Sequence, residues 1–108
     1  MASNLLDRHY LTPLFEPASV AIIGASTRPG SIGAVLIDNM LAAKYRGALF
    51  AVNPKQNNIK GVPCFPSIDK VPQRVDLAVI ATPPETVPQL IEQCGIAGVR
   101  SVVVITAG

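Results

Sequence analysis

The sequence contains no tryptophan and few aromatic residues of any kind, and its charged residues amount to only 15%. Proteins that stack nucleic-acid bases combine exposed aromatic rings with a basic groove, but the net charge of +2 here includes no run of lysine or arginine. We therefore expect no nucleic-acid partner. No apolar stretch approaches the roughly 20 residues of a membrane span, and the N-terminus lacks the charged-then-apolar pattern of a secretory signal. We expect no membrane association and a cytoplasmic location.

Residues that commonly carry catalysis are also scarce. The chain has one histidine, His9, and two cysteines, Cys64 and Cys94, without the spacing of a metal or redox motif. We expect Cys94 to be a buried free thiol on the apolar face of a helix. There is no Ser–His–Asp set, no metal-ligand cluster and no pair of carboxylates at the expected site. The sequence therefore favours a binding module, with no catalytic and no metal-binding residue.

Short apolar runs, each bounded by turn residues, predict buried β-strands. They lie at residues 19–23, 48–52, 61–65, 76–81 and 101–106. Pro63 indicates an edge position for the third strand, because proline cannot donate to the ladder. Helical periodicity predicts a helix over residues 31–45, with Ser31 as N-cap and Gly47 after its end, and a second helix over residues 86–97.

The alternation of strands and helices predicts an α/β fold, namely a Rossmann-like doubly wound parallel sheet. The layers are α/β/α, and the expected strand order is 3-2-1-4-5. With 108 residues, of which 49% are hydrophobic, we expect a single domain over residues 1–108 that starts with a proline-containing lead-in at 1–18. Because Gly108 directly follows a strand, we also expect a fragment that is truncated at its C-terminal end.

The loop after the first strand predicts a phosphate site. Gly24, Gly30 and Gly33 permit tight turns and close backbone approach, and the unpaired N–H groups at the start of the following helix attract anions. Ser26, Thr27 and Ser31 add hydroxyls, and Arg28 adds a cation that can bind phosphate in a bidentate manner. The glycine spacing matches neither G-x-G-x-x-G nor a P-loop, and a glycine-rich turn of this kind also occurs for purely structural reasons.

Two further loops are expected at the same edge of the sheet. NAD-binding folds place a carboxylate after the second strand to bind the ribose, but this chain has Asn53-Pro54-Lys55 there. A lysine suits a ribose that carries its own phosphate, as in NADP or coenzyme A, although a surface lysine without a ligand is equally consistent. Thr82-Pro83-Pro84 supplies a stiff, uncharged wall.

The chain contains, in this order, the segments SVAIIGAS, GSIG, FAVNPK, GVPCFPSI, VDLAVIATPPETV and VVVITAG. Over residues 11–108 this series resembles the N-terminal CoA-binding domain of the NDP-forming acyl-CoA synthetases. That superfamily includes ADP-forming acetyl-CoA synthetases, the alpha subunit of succinyl-CoA synthetase, and bacterial fusions with an acetyltransferase domain. In the family, the phosphate-carrying histidine lies in a following domain, and His9 matches no family motif.

The resemblance implies coenzyme A, or acetyl-CoA, as the ligand, and the remaining ligase domains of a parent chain as partners; it allows a homo-oligomer. The residues that it implies on the phosphate and pantetheine side are Gly24, Ala25, Ser26, Arg28, Gly30, Ser31, Ile32 and Gly33. The residues that it implies elsewhere are Asn53, Pro54 and Lys55 by the 3′-phosphate, Thr82 and Pro83 along the pantetheine arm, and Thr106 near the thiol. Two alternatives remain, namely half of an NADP-dependent oxidoreductase and a regulatory domain that senses CoA or a nucleotide.

Overall fold

The computed structural model describes residues 17–105. The strands are β1 (Ser19–Ile23), β2 (Ala48–Val52), β3 (Asn58–Ile59), β4 (Val62–Phe65), β5 (Leu77–Ile80) and β6 (Ser101–Val104). The helices are α1 (Ile32–Ala42) and α2 (Val87–Ile96), with single 3₁₀ turns at Ile68–Lys70 and Pro84–Thr86. The predicted strands and helices are therefore present, whereas most of the predicted lead-in and Thr106 lie outside the described residues.

The sheet has the order β3-β4-β2-β1-β5-β6. Five of these strands are parallel and follow the predicted order, and β1 pairs with both β2 and β5. The predicted edge position of the strand containing Pro63 is wrong, because the two-residue β3 pairs with β4 in the antiparallel direction. Lys60 and Gly61 join these strands with φ values of 54° and 86°, as a two-residue hairpin turn requires.

Helices cover both faces of the sheet, as predicted. Val20 and Ile22 of β1 pack in one buried cluster with Ile37 of α1, and the alternate residues Ala21 and Ile23 pack in a second cluster that includes Cys94 of α2. Successive residues of a strand point to opposite faces, so the two helices lie on opposite sides. Burial raises the pKa of the Cys94 thiol, which fits the predicted role of an inert core residue.

The first helix ends earlier than the sequence predicts. Its last residue is Ala42, and Lys44, at φ 54°, adopts the left-handed conformation that was expected at Gly47. Gly47 has a different role, because a Cβ there would lie 2.5 Å from the Ala18 carbonyl oxygen and would also clash with the Tyr45 ring. The Tyr45 hydroxyl donates to the Pro17 carbonyl at 2.6 Å, so a side chain at Gly47 would disrupt this contact.

Over residues 17–105, neither helix has the length and apolar character that crossing a membrane requires.

Candidate functional site

The main cleft lies at the carboxyl ends of β1, β5 and β6 and measures about 540 Å³. It opens between β1 and β5, where the strand order reverses and ligands of doubly wound folds bind. The predicted site residues that line it are Gly24, Ser26, Arg28, Gly30, Ser31, Ile32, Gly33, Thr82 and Pro83. Because the loop over residues 24–31 forms one wall, we call this loop the glycine loop and the cavity the glycine-loop cleft.

The N-terminus of α1 opens into this cleft. Ser31 is the N-cap, and its Oγ accepts from the Ala34 N–H at 3.2 Å. The Val35 N–H donates to the Ser31 carbonyl at 3.0 Å. Within residues 17–105, the N–H groups of Ile32 and Gly33 have no acceptor, and both residues line the cleft. Two unpaired donors at the positive end of a helix dipole form a site for an anion.

The Ser31 hydroxyl is less available to a ligand than the sequence predicts. It donates its proton to the Arg28 carbonyl at 2.8 Å while accepting from α1. A hydroxyl has one proton, so Ser31 shapes the loop and caps the helix but has no proton left for a phosphate. Ser26 differs, because its Oγ only accepts, from the Arg28 N–H at 2.9 Å, so its proton stays available to a ligand.

Arg28 is the charged side chain of the glycine-loop cleft, whose lining among the described residues includes no carboxylate. Its guanidinium can form paired hydrogen bonds with phosphate oxygens. Asp76 lies near the amino end of β5, where its carboxylate accepts from the Ala18 N–H at 2.8 Å, and Glu85 is exposed on the turn before α2. The cleft therefore favours an anionic ligand and lacks a carboxylate for acid–base chemistry.

The three glycines serve two different purposes. Gly24 has φ 93°, and a Cβ there would lie 2.6 Å from the Ala81 carbonyl oxygen. Gly33 is helical, but a Cβ would lie 2.9 Å from the Gly24 carbonyl carbon, so α1 packs directly on the backbone after β1. Gly30 has φ 81° with no atom of the described residues near a Cβ. Gly24 and Gly33 thus provide close packing, and Gly30 provides a left-handed turn beside open space.

A second cleft of about 370 Å³ lies on the other side of a ridge formed by Gly24, Thr82 and Pro83. Its lining includes Asn53 and Pro54 together with residues that the sequence did not indicate. Those residues are Pro66, Ser67, Ile68, Thr86, Gln89, Leu90 and Gln93. We call it the amide cleft, because three side-chain amides border an otherwise mostly apolar cavity. Gln89 and Gln93 are four residues apart and therefore lie on the same face of α2. This spacing is the sequence feature that could have indicated a shared polar site.

The ridge offers acceptors more than donors. The Thr86 hydroxyl donates to the Pro83 carbonyl at 2.7 Å, and the Thr82 and Thr86 hydroxyl oxygens are 2.6 Å apart. Because Thr86 uses its proton on Pro83, Thr82 must donate to Thr86. The Thr82 hydroxyl can then accept a hydrogen bond from a ligand but has no proton left to give.

Ala25 and Lys55 line neither cleft. The Ala25 methyl is completely buried in the core, so this residue can contact a ligand through its backbone alone. Lys55 is exposed at a turn, in which its N–H donates to Asn53 Oδ1 at 2.8 Å. Its predicted contact with a ribose phosphate remains a prediction, and that for Thr106 falls outside the described residues.

The described residues include no cluster of metal-ligating side chains, and both cysteines are buried. Burial raises the pKa of the Cys64 thiol, which keeps the thiol protonated at neutral pH. In the part of the chain that the structure describes, no three His, Cys, Asp or Glu side chains are grouped as a metal site needs. The lining of the glycine-loop cleft suits an anionic ligand.

The N-cap yields a stability prediction. Replacing Ser31 by alanine should lower the free energy of unfolding by about 1 kcal/mol, because the Ala34 N–H loses its acceptor. Urea denaturation measures this loss. Ser67→Ala is the control, since Ser67 precedes the 3₁₀ turn Ile68–Lys70 without a side-chain capping bond and donates only to the exposed Asp69 carboxylate in the described structure, so its loss should be clearly smaller. Equal losses for the two variants would show that the cap contributes nothing specific.

Comparison with known proteins agrees with this geometry. A family model described as a CoA binding domain matches residues 18–108. An ADP-forming acetate–CoA ligase I from Archaeoglobus fulgidus is 45% identical over 95 residues, which cover 88% of this chain and 14% of the ligase. The alpha subunit of ADP-forming acetate–CoA ligase I from Pyrococcus furiosus is 40% identical over 102 residues, covering 91% of this chain and 22% of the subunit.

A solved structure is similar as well. An acetyl-coenzyme A synthetase 1 from Ca. Korarchaeum cryptofilum, described as dinucleotide forming and determined with phosphate and ADP, superposes with a TM-score of 0.87. It is 40% identical, and the match covers 91% of this chain and 21% of that one. The chain therefore spans about a seventh to a fifth of the length of these relatives. The matches do not favour an NADP-dependent oxidoreductase.

Proposed function

The chain belongs to the CoA-binding domain family, and from that premise we propose that it binds coenzyme A, free or acylated, at the carboxyl ends of its parallel strands. We further propose that it serves as the CoA-binding module of an ADP-forming acid–CoA ligase, such as an acetate–CoA ligase. The two relatives above carry that activity in their names. Catalysis would then reside in other domains or subunits of the ligase, which are the partners of this module.

One observation carries the proposal, namely that the N–H groups of Ile32 and Gly33 at the start of α1 have no acceptor among the described residues. They point to an anionic ligand, and Arg28 supplies a positive charge in the same cleft. CoA has a pyrophosphate between its adenosine and its pantetheine arm, so an anion site in one of two adjoining clefts suits its shape. A helix N-terminus with free N–H groups is a common site for such a phosphate.

The two clefts suit the two ends of CoA. We place the pyrophosphate and the pantetheine arm in the glycine-loop cleft, where Thr82 and Pro83 form an uncharged wall. The adenine suits the amide cleft, because Gln89 and Gln93 offer both donors and acceptors beside the apolar Leu90. Lys55 follows β2 at the rim, where its ammonium group is available to a 3′-phosphate. The ridge at Gly24 lies between the two clefts, where the ligand would cross from one cleft to the other.

Calorimetric titration tests the proposal with CoA, dephospho-CoA and NADPH as ligands. We expect saturable binding of CoA and no saturable binding of NADPH, because the family model that matches the chain is a CoA binding domain. Dephospho-CoA should bind with lower affinity if a cation recognises the 3′-phosphate. Tighter binding of NADPH than of CoA would reject the proposal in favour of a dinucleotide site.

Lys55 provides a prediction for the 3′-phosphate. Lys55→Ala should weaken CoA binding roughly tenfold, as the loss of a charge-assisted hydrogen bond implies, and should leave dephospho-CoA binding unchanged. The salt dependence of CoA binding should also decrease. Arg46→Ala makes the same change in charge at the amino end of β2, whereas Lys55 follows its carboxyl end. This control should leave both affinities unchanged. Equal loss for CoA and dephospho-CoA would exclude a 3′-phosphate contact at Lys55.

A further inference from the structure

Asn53 uses almost all of its polar atoms inside the protein. Its side-chain Nδ2 donates to the Ala25 carbonyl at 2.8 Å, and its Oδ1 accepts from the Lys55 N–H at 2.8 Å. Its backbone N–H donates to the Phe65 carbonyl at 2.9 Å, and its carbonyl accepts from the Cys64 thiol at 3.7 Å. One amide hydrogen remains for anything else. Asn53 is thus poorly suited to be a principal ligand contact.

These bonds instead join the glycine loop to the end of β2. The Gly24 N–H donates to the Val52 carbonyl at 3.1 Å, and Asn53 then holds the carbonyl of the next loop residue, Ala25. Asn53 is itself held by the bond from its backbone N–H to the Phe65 carbonyl at the end of β4. A 3.4 Å bond from Gln56 to the Thr27 hydroxyl links the same two segments on the surface. Beyond the backbone bond of Gly24, the start of the glycine loop is therefore held to the end of β2 by a part-buried bond from the Asn53 side chain.

We infer that Asn53 is a positioning residue for the CoA site: its amide holds the glycine loop against β2 so that the N–H groups of Ile32 and Gly33 meet the phosphate. This inference rests on the proposed function. An amide is required because the position needs a donor toward Ala25 and an acceptor toward Lys55 at the same time. A carboxylate keeps the second bond but turns an acceptor toward the Ala25 carbonyl, where two oxygen atoms repel each other.

The variant that isolates this donor is Asn53→Asp, which has nearly the same shape. Near neutral pH we expect CoA to bind about tenfold more weakly, the size of effect that loss of one partly buried hydrogen bond produces. Asn58→Asp is the matched control. It adds the same charge, but Asn58 uses its Oδ1 only to accept from the Gly61 N–H at 3.0 Å, which a carboxylate also does. Its CoA affinity should equal that of the wild type.

Lowering the pH supplies a readout that a packing defect would not produce. The protonated form of the new carboxyl can donate to the Ala25 carbonyl, which raises its pKa above the ordinary value of about 3.9. The ratio of wild-type to variant affinity should therefore fall toward one as the pH drops through about 4. The titratable and charged groups on the segments that contact Asn53, in the described chain, are Lys55, Cys64 and Arg28. Lys55 and Arg28 carry positive charge in both proteins, and their attraction for the new carboxylate works against this rise in its pKa.

The outcomes separate the two proposals. If the wild type binds CoA and Asn53→Asp binds it equally well near neutral pH, the inference fails and the proposed function stands. A tenfold loss that persists at the lower pH also overturns the inference, because it would assign the loss to altered packing. If the wild type binds no CoA, both proposals fail. A loss that recovers on acidification, with Asn58→Asp unchanged, supports the donor role.

Discussion

Replacing Gly33 by alanine should destabilise the domain by about 3 kcal/mol or more, whereas replacing Gly95 by alanine should stabilise it by about 0.5 to 1 kcal/mol. Both glycines are helical, Gly33 near the start of α1 and Gly95 near the end of α2. In the described structure, a Cβ at Gly95 meets no atom within 4 Å. Alanine there removes the entropic cost of fixing a glycine in a helix and adds no clash.

Gly33 differs because its neighbours are backbone atoms. A Cβ would clash with the Gly24 carbonyl oxygen and lie 3.0 Å from the Cα of Ala25. Backbone cannot rotate away as a side chain can, so α1 would have to move off β1. Because Ile32 and Gly33 supply the free N–H groups, that movement should also lower CoA affinity. Urea denaturation of both variants measures the stabilities, and losses of the same sign and size at the two positions would contradict the close packing.

Replacing Gly30 by alanine should reduce CoA affinity by about tenfold to a hundredfold, the range that a steric cost of about 1–3 kcal/mol implies. Gly61→Ala is the matched control. Gly30 and Gly61 have φ values of 81° and 86°, and in the described structure a Cβ at either one meets no atom within 4 Å. Both variants should lose about 1–2 kcal/mol of stability through backbone strain. Only Gly30 lines the glycine-loop cleft, so only Gly30→Ala should weaken binding.

Calorimetry at a temperature where both variants are folded measures this difference. A loss of CoA affinity in Gly61→Ala that matches the loss in Gly30→Ala would mean that strain, and not a blocked approach, weakens binding. Unchanged affinity in Gly30→Ala would show that the ligand does not approach the backbone at this turn. The pair thus separates the conformational role of Gly30 from its proposed place beside the phosphate.

The parallel sheet could be predicted because its strands are short apolar runs between turn residues. The sequence could not reveal β3, because the two residues Asn58 and Ile59 are too few to show an alternating pattern. The dipeptide Lys60-Gly61 indicates a turn in the sequence, but nothing in the pattern indicates that a strand precedes it. The end of α1 was predicted too late in the chain, for a different reason. Lys44 adopts a positive φ that a sequence pattern assigns more readily to a glycine.

The anion site was predictable from Ser31 and the glycines, since an N-cap after a glycine loop is a local feature. The separate roles of Gly24, Gly30 and Gly33 depend on atoms of Ala81 and Gly24 that only the fold brings near. The amide cleft was missed because Gln89 and Gln93 resemble ordinary solvent-facing helix residues. The role of Asn53 was equally hidden, because its partner Ala25 lies 28 residues earlier in the chain.

The family resemblance in the glycine loop and the strands that follow pointed to coenzyme A, and the match to a CoA binding domain over residues 18–108 confirms that family. The residues alone left NADP and coenzyme A open, since a missing carboxylate after β2 suits both. The described structure adds two clefts that meet at a ridge, an arrangement that suits an elongated ligand with a central anion. It also shows that the Ser31 hydroxyl donates to the Arg28 carbonyl within the protein.

The measurement that tests the central claim most directly is a titration of the isotope-labelled chain with CoA, followed through its backbone amide signals by NMR. We expect the Ile32 and Gly33 amides to show the largest changes and to reach saturation together with calorimetric binding. The amide of Val103, in the middle of β6, serves as an internal reference and should change little. Saturable binding of CoA that leaves the Ile32 and Gly33 amides unchanged would contradict the account.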